Sequence, residues 1–157
     1  LWKGRKKAVP GEGPSRARLM LIGEAPGREE DRQGRPFVGM SGRFLTRALR
    51  DAGIDRSKAF VTGAVKCRPP GNRRPRRPEI KACRPYLLEQ IRLTGAKKVF
   101  LMGDVATKAV LGSGYSVSRD HGKTVRRQGI AYVITAHPAA AMRFPKMRRI
   151  FLASLGK

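Results

Sequence analysis

The chain has 157 residues, enough for one domain that buries its own core, and carries 35 Lys+Arg against 11 Asp+Glu, a net charge of +24. Such a charge is balanced by a polyanion, so nucleic acid is the first partner it suggests, with a cytoplasmic, nucleoid-associated location and no membrane contact. Two cysteines do not make a disulfide scaffold, no apolar run reaches the ~20 residues of a membrane span, and no signal peptide is visible.

Residues 1–17 are basic with Pro and Gly and read as an extended arm; Leu1 in place of an initiator Met reads as the start of a fragment of the single domain 1–157. Residues 18–23 form a short apolar run closed by Gly, a buried strand. A long loop, 24–40, follows. Ser41 is expected to cap a helix over 42–52, with Phe44, Leu45, Ala48 and Leu49 on one face and Gly53 as the stop. A second strand is expected over 59–65, then a basic loop over 66–77. Pro78 suits the first position of a helix running to about Thr94. A third strand falls at 97–102, a helix begins at Asp104, a ribbon surrounds Gly129, a fourth strand covers 130–135 and a last helix starts at Pro145. Strands alternating with helices define an α/β fold, a parallel sheet covered on both faces, whose working residues sit beyond the carboxyl ends of the strands.

Four constellations occupy those loops. Gly23-Glu24-Ala25-Pro26-Gly27 is followed by Glu29, Glu30 and Asp31, placing four of the eleven acids within 24–31. A carboxylate here serves to polarise a water or steady a cation, or else the loop is solvated and balances nearby arginines. Phe37, between Pro36 and Gly39, reads as a stacking platform for a base or as a core anchor. The loop 66–77 carries Lys66, Arg68, Arg73, Arg74, Arg76 and Arg77, and this density favours phosphate contact over a merely solvated face. It also holds Cys67, and Cys83 follows sixteen residues later; alone, the pair reads as two buried thiols. Finally, His137-Pro138 ends a strand and precedes Ala139 to Phe144. His137 is placed to donate to a developing oxyanion or merely to shape a turn, and Ala141, Met142 and Arg143 suit a wedge that enters a base stack. His121 carries no functional expectation.

With these residues in view the sequence closely resembles family 4 uracil-DNA glycosylases, the iron–sulfur branch of their superfamily. The motifs are VPGEG (9–13), GEAPG (23–27) with Glu30-Asp31, GRPFVG (34–39), VKCRPPGNR (65–73), Cys83 and HPAA (137–140), in family order. The resemblance implies a three-layer α/β/α sandwich with a four-stranded parallel sheet. It implies a monomer that hydrolyses the N-glycosidic bond of deoxyuridine, in single-stranded DNA or in a duplex with the base flipped, and leaves an abasic site. By resemblance Glu24, Asn72 and His137 are catalytic. Gly23, Glu24, Ala25, Glu30, Phe37, Gly63 and His137 bind substrate. Lys66, Arg68, Arg73, Arg74, Ala141, Met142 and Arg143 meet DNA. Cys67 and Cys83 match two of four ligands of a 4Fe–4S cluster, whose other two fall in a Cys-x-x-Cys just upstream of the family's counterpart to Leu1. One departure stands out: the family has Thr-Asn before Val-Lys-Cys, and this chain has Thr62-Gly63. The missing amide is expected to leave space beside the base and to loosen uracil selectivity, which Gly63→Asn would sharpen. Two rival readings are a glycosylase for another deaminated base and a non-catalytic DNA-binding protein.

Overall fold

The computed structural model describes residues 1–156. In chain order the elements are β1 (Leu19–Gly23), α1 (Arg28–Gln33), α2 (Met40–Asp51), β2 (Ala59–Gly63), α3 (Arg77–Thr94), β3 (Lys98–Met102), α4 (Asp104–Leu111), α5 (Val117–Asp120), β4 (Thr124–Arg127), β5 (Ile130–Thr135), α6 (Pro138–Arg143) and α7 (Pro145–Leu155). The strands form one sheet in the order β2-β1-β3-β5-β4. Four are parallel, and β4 pairs antiparallel with β5, so the sheet has five strands where four were expected. The extra strand is the first arm of the ribbon around Gly129. Its residues TVRR are almost wholly exposed and show no apolar run, and it exists by pairing with β5. The two turn residues, Gln128 and Gly129, both have positive φ, as a two-residue hairpin turn needs.

Alternation along the central strands sorts the core into two layers. Met20, Ile22, Val99, Leu101, Tyr132 and Ile134 face Leu87 and Ile91 of α3 and Val105, Ala109 and Val110 of α4. Leu21, Val61, Phe100, Met102 and Val133 face Phe44, Leu45, Ala48 and Leu49 of α2, with Ala141, Phe151 and Leu155 from α6 and α7. The α/β/α sandwich follows directly from this pattern. The helix α2 starts at Met40 after Gly39, two residues earlier than the Ser41 cap predicts, and the Glu30 carboxylate satisfies the amide of Gly39.

The long loop 24–40 contains the short helix α1, whose polar sequence REEDRQ offers no apolar period to read. The arm 1–17 is tied to the sheet edge: Val9 donates to the carbonyl of Lys66 at 2.9 Å, and Glu12 exchanges backbone bonds of 2.9 and 2.8 Å with Val61. The parallel strands present their carboxyl ends to one rim. The order 2-1-3 reverses direction at β1, and the crevice where ligands bind in such sheets lies at that rim.

Candidate active site

A cavity of about 460 Å³ opens at this rim, lined among others by Glu24, Ala25, Glu30, Phe37, Gly63, Asn72, Arg73 and His137. That volume accommodates one nucleotide-sized ligand. β1 delivers Glu24, β2 delivers Gly63, and β5 delivers His137 two residues past its last strand residue.

His137 caps α6: its Nδ1 accepts the backbone N–H of Ala139 at 3.2 Å. With Nδ1 accepting, the ring proton of the neutral form sits on Nε2, which is therefore a donor. Burial of the ring pushes its pKa down to about 4, against the opposing pull of the Glu30 carboxylate. At neutral pH the site thus offers a neutral imidazole N–H. Glu24 is half-buried; desolvation raises its pKa, the Arg74 charge lowers it and Asp104 adds to the rise.

Phe37 stands 5.9 Å from His137 between ring centroids, tilted by 32°. Gly23 makes this possible, since a Cβ there would meet the Phe37 ring at 2.3 Å and lie 3.5 Å from His137 Nε2. A side chain at position 23 would occupy the space between the two rings.

Glu30, expected to bind substrate, lines the cavity, but its carboxylate is committed to the backbone. It is buried, and its carboxylate accepts N–H groups from Gly27 at 3.2 Å, Val38 at 2.9 Å and Gly39 at 2.8 Å. It joins the start of α1 to the loop that carries Phe37, and it acts on the site by holding that loop. Asp31 does a similar task for the arm, accepting from the amides of Lys6 and Lys7 at 2.9 and 3.4 Å.

Two residues expected to meet DNA are inside the molecule. Lys66 is buried, and its Nζ donates at 2.7 Å to each of Thr62 Oγ1, the Gly63 carbonyl and Gln90 Oε1. Burial pushes its pKa down to about 8. A cation so enclosed has no donor left for a phosphate. Ala141 is 1 % exposed and packs in the core under α2, so it cannot enter a base stack. Its neighbours Met142, Arg143 and Phe144 are exposed, and Arg143 and Phe144 line the cavity.

The remaining basic loop lies at the surface. Arg68 Nε donates to Asn72 Oδ1 at 2.6 Å, which fixes the amide at the cavity wall. Arg73 grips Glu79 through bonds of 2.9 and 2.6 Å, holding that carboxyl at about 2, together with the amide of Arg76. Arg74, Arg76 and Arg77 are exposed.

Gly63 also departs from expectation. The position is not an open gap: a Cβ there would stand 2.9 Å from the Val65 carbonyl oxygen and 3.5 Å from Ala25 Cα and the Glu24 carbonyl oxygen. An asparagine at 63 requires the backbone to move.

Cys67 and Cys83 are free and line one cavity on the far side of Lys66, together with Leu1, Trp2, Arg5 and Tyr86. Arg5 donates to Cys67 Sγ at 2.9 Å. A 4Fe–4S cluster needs four thiolates. The two thiols converge as half of such a set, but no group of three or more His, Cys, Asp or Glu among the described residues could hold a metal. The described residues therefore do not by themselves complete a cluster site.

With this geometry established, comparison with known proteins assigns the chain. The model of the uracil DNA glycosylase superfamily matches residues 10–155. A type-4 uracil-DNA glycosylase of Sulfurisphaera tokodaii is 42% identical over 96% of this chain and 72% of its own length. The type-4 enzyme of Pyrobaculum aerophilum is 40% identical over 99% of this chain and 83% of its own. A type-5 uracil-DNA glycosylase from the same organism is 31% identical over 88% and 68%. The chain belongs to the uracil-DNA glycosylase superfamily, and its identity to these type-4 members exceeds that to the type-5 member.

Sequence reasoning missed Pro26, Ser41, Pro69 and Ala140 as lining residues. Their types carry no chemical signal, and only their adjacency to the motifs could have marked them.

Proposed function

We propose that this chain is a monofunctional uracil-DNA glycosylase of the type-4 group, which hydrolyses the bond between uracil and deoxyribose in DNA and leaves an abasic site. The observation that carries the reading is the pairing, in one nucleotide-sized cavity, of a half-buried carboxylate at Glu24 with a neutral imidazole at His137 whose Nε2–H is free to donate. As the glycosidic bond breaks, the sugar gains positive charge and the departing base gains negative charge. Ionised Glu24 stabilises the first and orients the water that attacks the sugar carbon. His137 donates a hydrogen bond to a carbonyl oxygen of the leaving base, which needs no proton transfer because the imidazole stays neutral. Phe37 stacks on the base, and Asn72 assists from the opposite wall. Reaching this cavity requires an extruded nucleotide, at a cost of a few kcal/mol that is smallest in single strands. Arg68, Arg74 and Arg143 hold the flanking phosphates, and Met142 fills the vacated stack.

Within the same proposal the protein works as a monomer on nucleoid DNA, a state its +24 charge favours by opposing self-association. Cys67 and Cys83 would be two ligands of an iron–sulfur cluster, held at the cavity both cysteines line, whose other ligands are not among the described residues. The test of function is incubation with uracil-containing single-stranded DNA followed by alkali. Strand cleavage at the uracil is expected. Retention of the DNA without cleavage would instead make the chain a DNA-binding protein.

A further inference from the structure

The loop that presents Phe37 is bent against the preference of its own residue. Phe37 has φ +52°, in the left-handed region that is strained for a non-glycine residue and persists only where neighbours impose it. Glu30 holds the amides that follow, at Val38 and Gly39. The carbonyls on the other side of the bend are held by a residue that no motif marks. Arg56 donates through one terminal nitrogen to the Phe37 carbonyl at 3.0 Å and to Thr46 Oγ1 at 2.7 Å. Through the other it donates to the Pro36 carbonyl at 2.8 Å and to Glu12 Oε1 at 3.3 Å. Its side chain is only 19% exposed. Gly42 completes the seat, because a Cβ there would lie 1.9 Å from the Phe37 carbonyl oxygen.

We propose that Arg56 is a positioning residue for base excision: its guanidinium grips two successive carbonyls and so fixes the turned backbone that sets the Phe37 ring over the base. The role rests on the reading of the cavity as a uracil pocket. It requires the planar fork of arginine, since a lysine ammonium is a single point that does not span two carbonyls, a hydroxyl and a carboxylate together. All four bonds of the grip, from both terminal nitrogens, are made within the protein.

The experiment combines two readouts on Arg56→Lys and Arg56→Ala. The first is amide exchange at Val38 and Gly39 compared with Leu21 and Ile22 in β1. Acceleration of about tenfold or more at the loop alone is expected, as loss of bonds from a charged donor frees a local unit. Unchanged loop exchange overturns the grip, whatever the chain's activity. The second is a double-mutant cycle with Phe37→Ala on single-turnover uracil release. Arg56→Lys should slow release by about tenfold in the wild-type background, leave affinity for undamaged DNA unchanged, and have little further effect once Phe37 is removed. Independent, multiplying losses would make Arg56 a general structural residue and overturn the proposal. If the parent chain releases no uracil, the pocket reading fails, while the exchange data still decide whether Arg56 holds the loop.

Discussion

The two walls of the cavity are built in opposite ways. On one side, Glu30 and Arg56 saturate the backbone of residues 36–39 from its amide and its carbonyl faces, and the Phe37 and His137 rings face each other across the space that Gly23 leaves. On the other side, Asn72, Arg73, Arg143 and Phe144 stand at the surface, tied by exposed bonds such as Arg68 to Asn72. The first wall is fixed before a substrate arrives. The second is charged and, apart from the Arg68–Asn72 and Arg73–Glu79 bonds, adjustable. Chemistry on a base needs a rigid frame for charge that develops in the transition state, whereas grip on a flexible polyanion needs only positive charge within reach.

The sharpest way to break this contrast is to remove the reacting groups from the rigid wall. Glu24→Gln and His137→Ala should each lower single-turnover uracil release by about 10²-fold or more and change DNA affinity little, because both act on charge that exists only as the bond breaks. Rate measurements on a uracil-containing oligonucleotide, with binding to a uracil-free one alongside, check this.

Next in size is Glu30→Ala. It strands three backbone donors, of which that of Gly39 is buried, and should cost roughly 3 kcal/mol of stability, seen in denaturant unfolding. Gly63→Asn belongs with it. Since its Cβ would press on the Val65 carbonyl, it should slow uracil release and lower Tm rather than sharpen selectivity.

On the adjustable wall the effects are smaller. If Arg68, Arg74, Arg76 and Arg77 each touch a phosphate of a single strand, log affinity should fall with log salt at a slope of about −3. Each Arg→Ala should then make the slope shallower by about 0.7. Lys66→Met should leave the slope unchanged, because Nζ is enclosed by Thr62, Gly63 and Gln90.

The pH dependence separates the two reacting groups. Glu24 works ionised and its pKa lies above 4.5, so the acid limb of kcat/KM should bend above that value and change form in Glu24→Gln. His137 works neutral. Its folded pKa of about 4 lies below the usual 6.5, so its protonation costs little activity until the pH falls close to 4. The same shift makes its linkage to stability absent above 6.5 and increasingly unfavourable as pH falls towards 4, since the unfolded chain binds the proton first.

Much of this was legible in the sequence. The four parallel strands were visible as apolar runs, the second drawn to Val65, two residues past its actual end at Gly63, and the motifs beyond their carboxyl ends named Glu24, Phe37, Asn72 and His137. What escaped depended on distance in space. The strand β4 has no apolar signal and exists only through β5. Lys66 heads the basic loop 66–77, yet its own side chain turns inward to the Gly63 carbonyl. Ala141 lies on the buried face of a six-residue helix too short to show a period. Arg56 lies nineteen residues from Phe37 in a polar turn, and only the folded backbone brings the two together.

The division between the two walls is tested most directly by measuring, on one uracil-containing single strand, both the saturating single-turnover rate and the Kd for His137→Ala and Arg74→Ala. The account predicts a crossed result: His137→Ala loses rate at nearly unchanged Kd, and Arg74→Ala loses affinity at nearly unchanged saturating rate. Equal losses of both quantities in the two variants would contradict it.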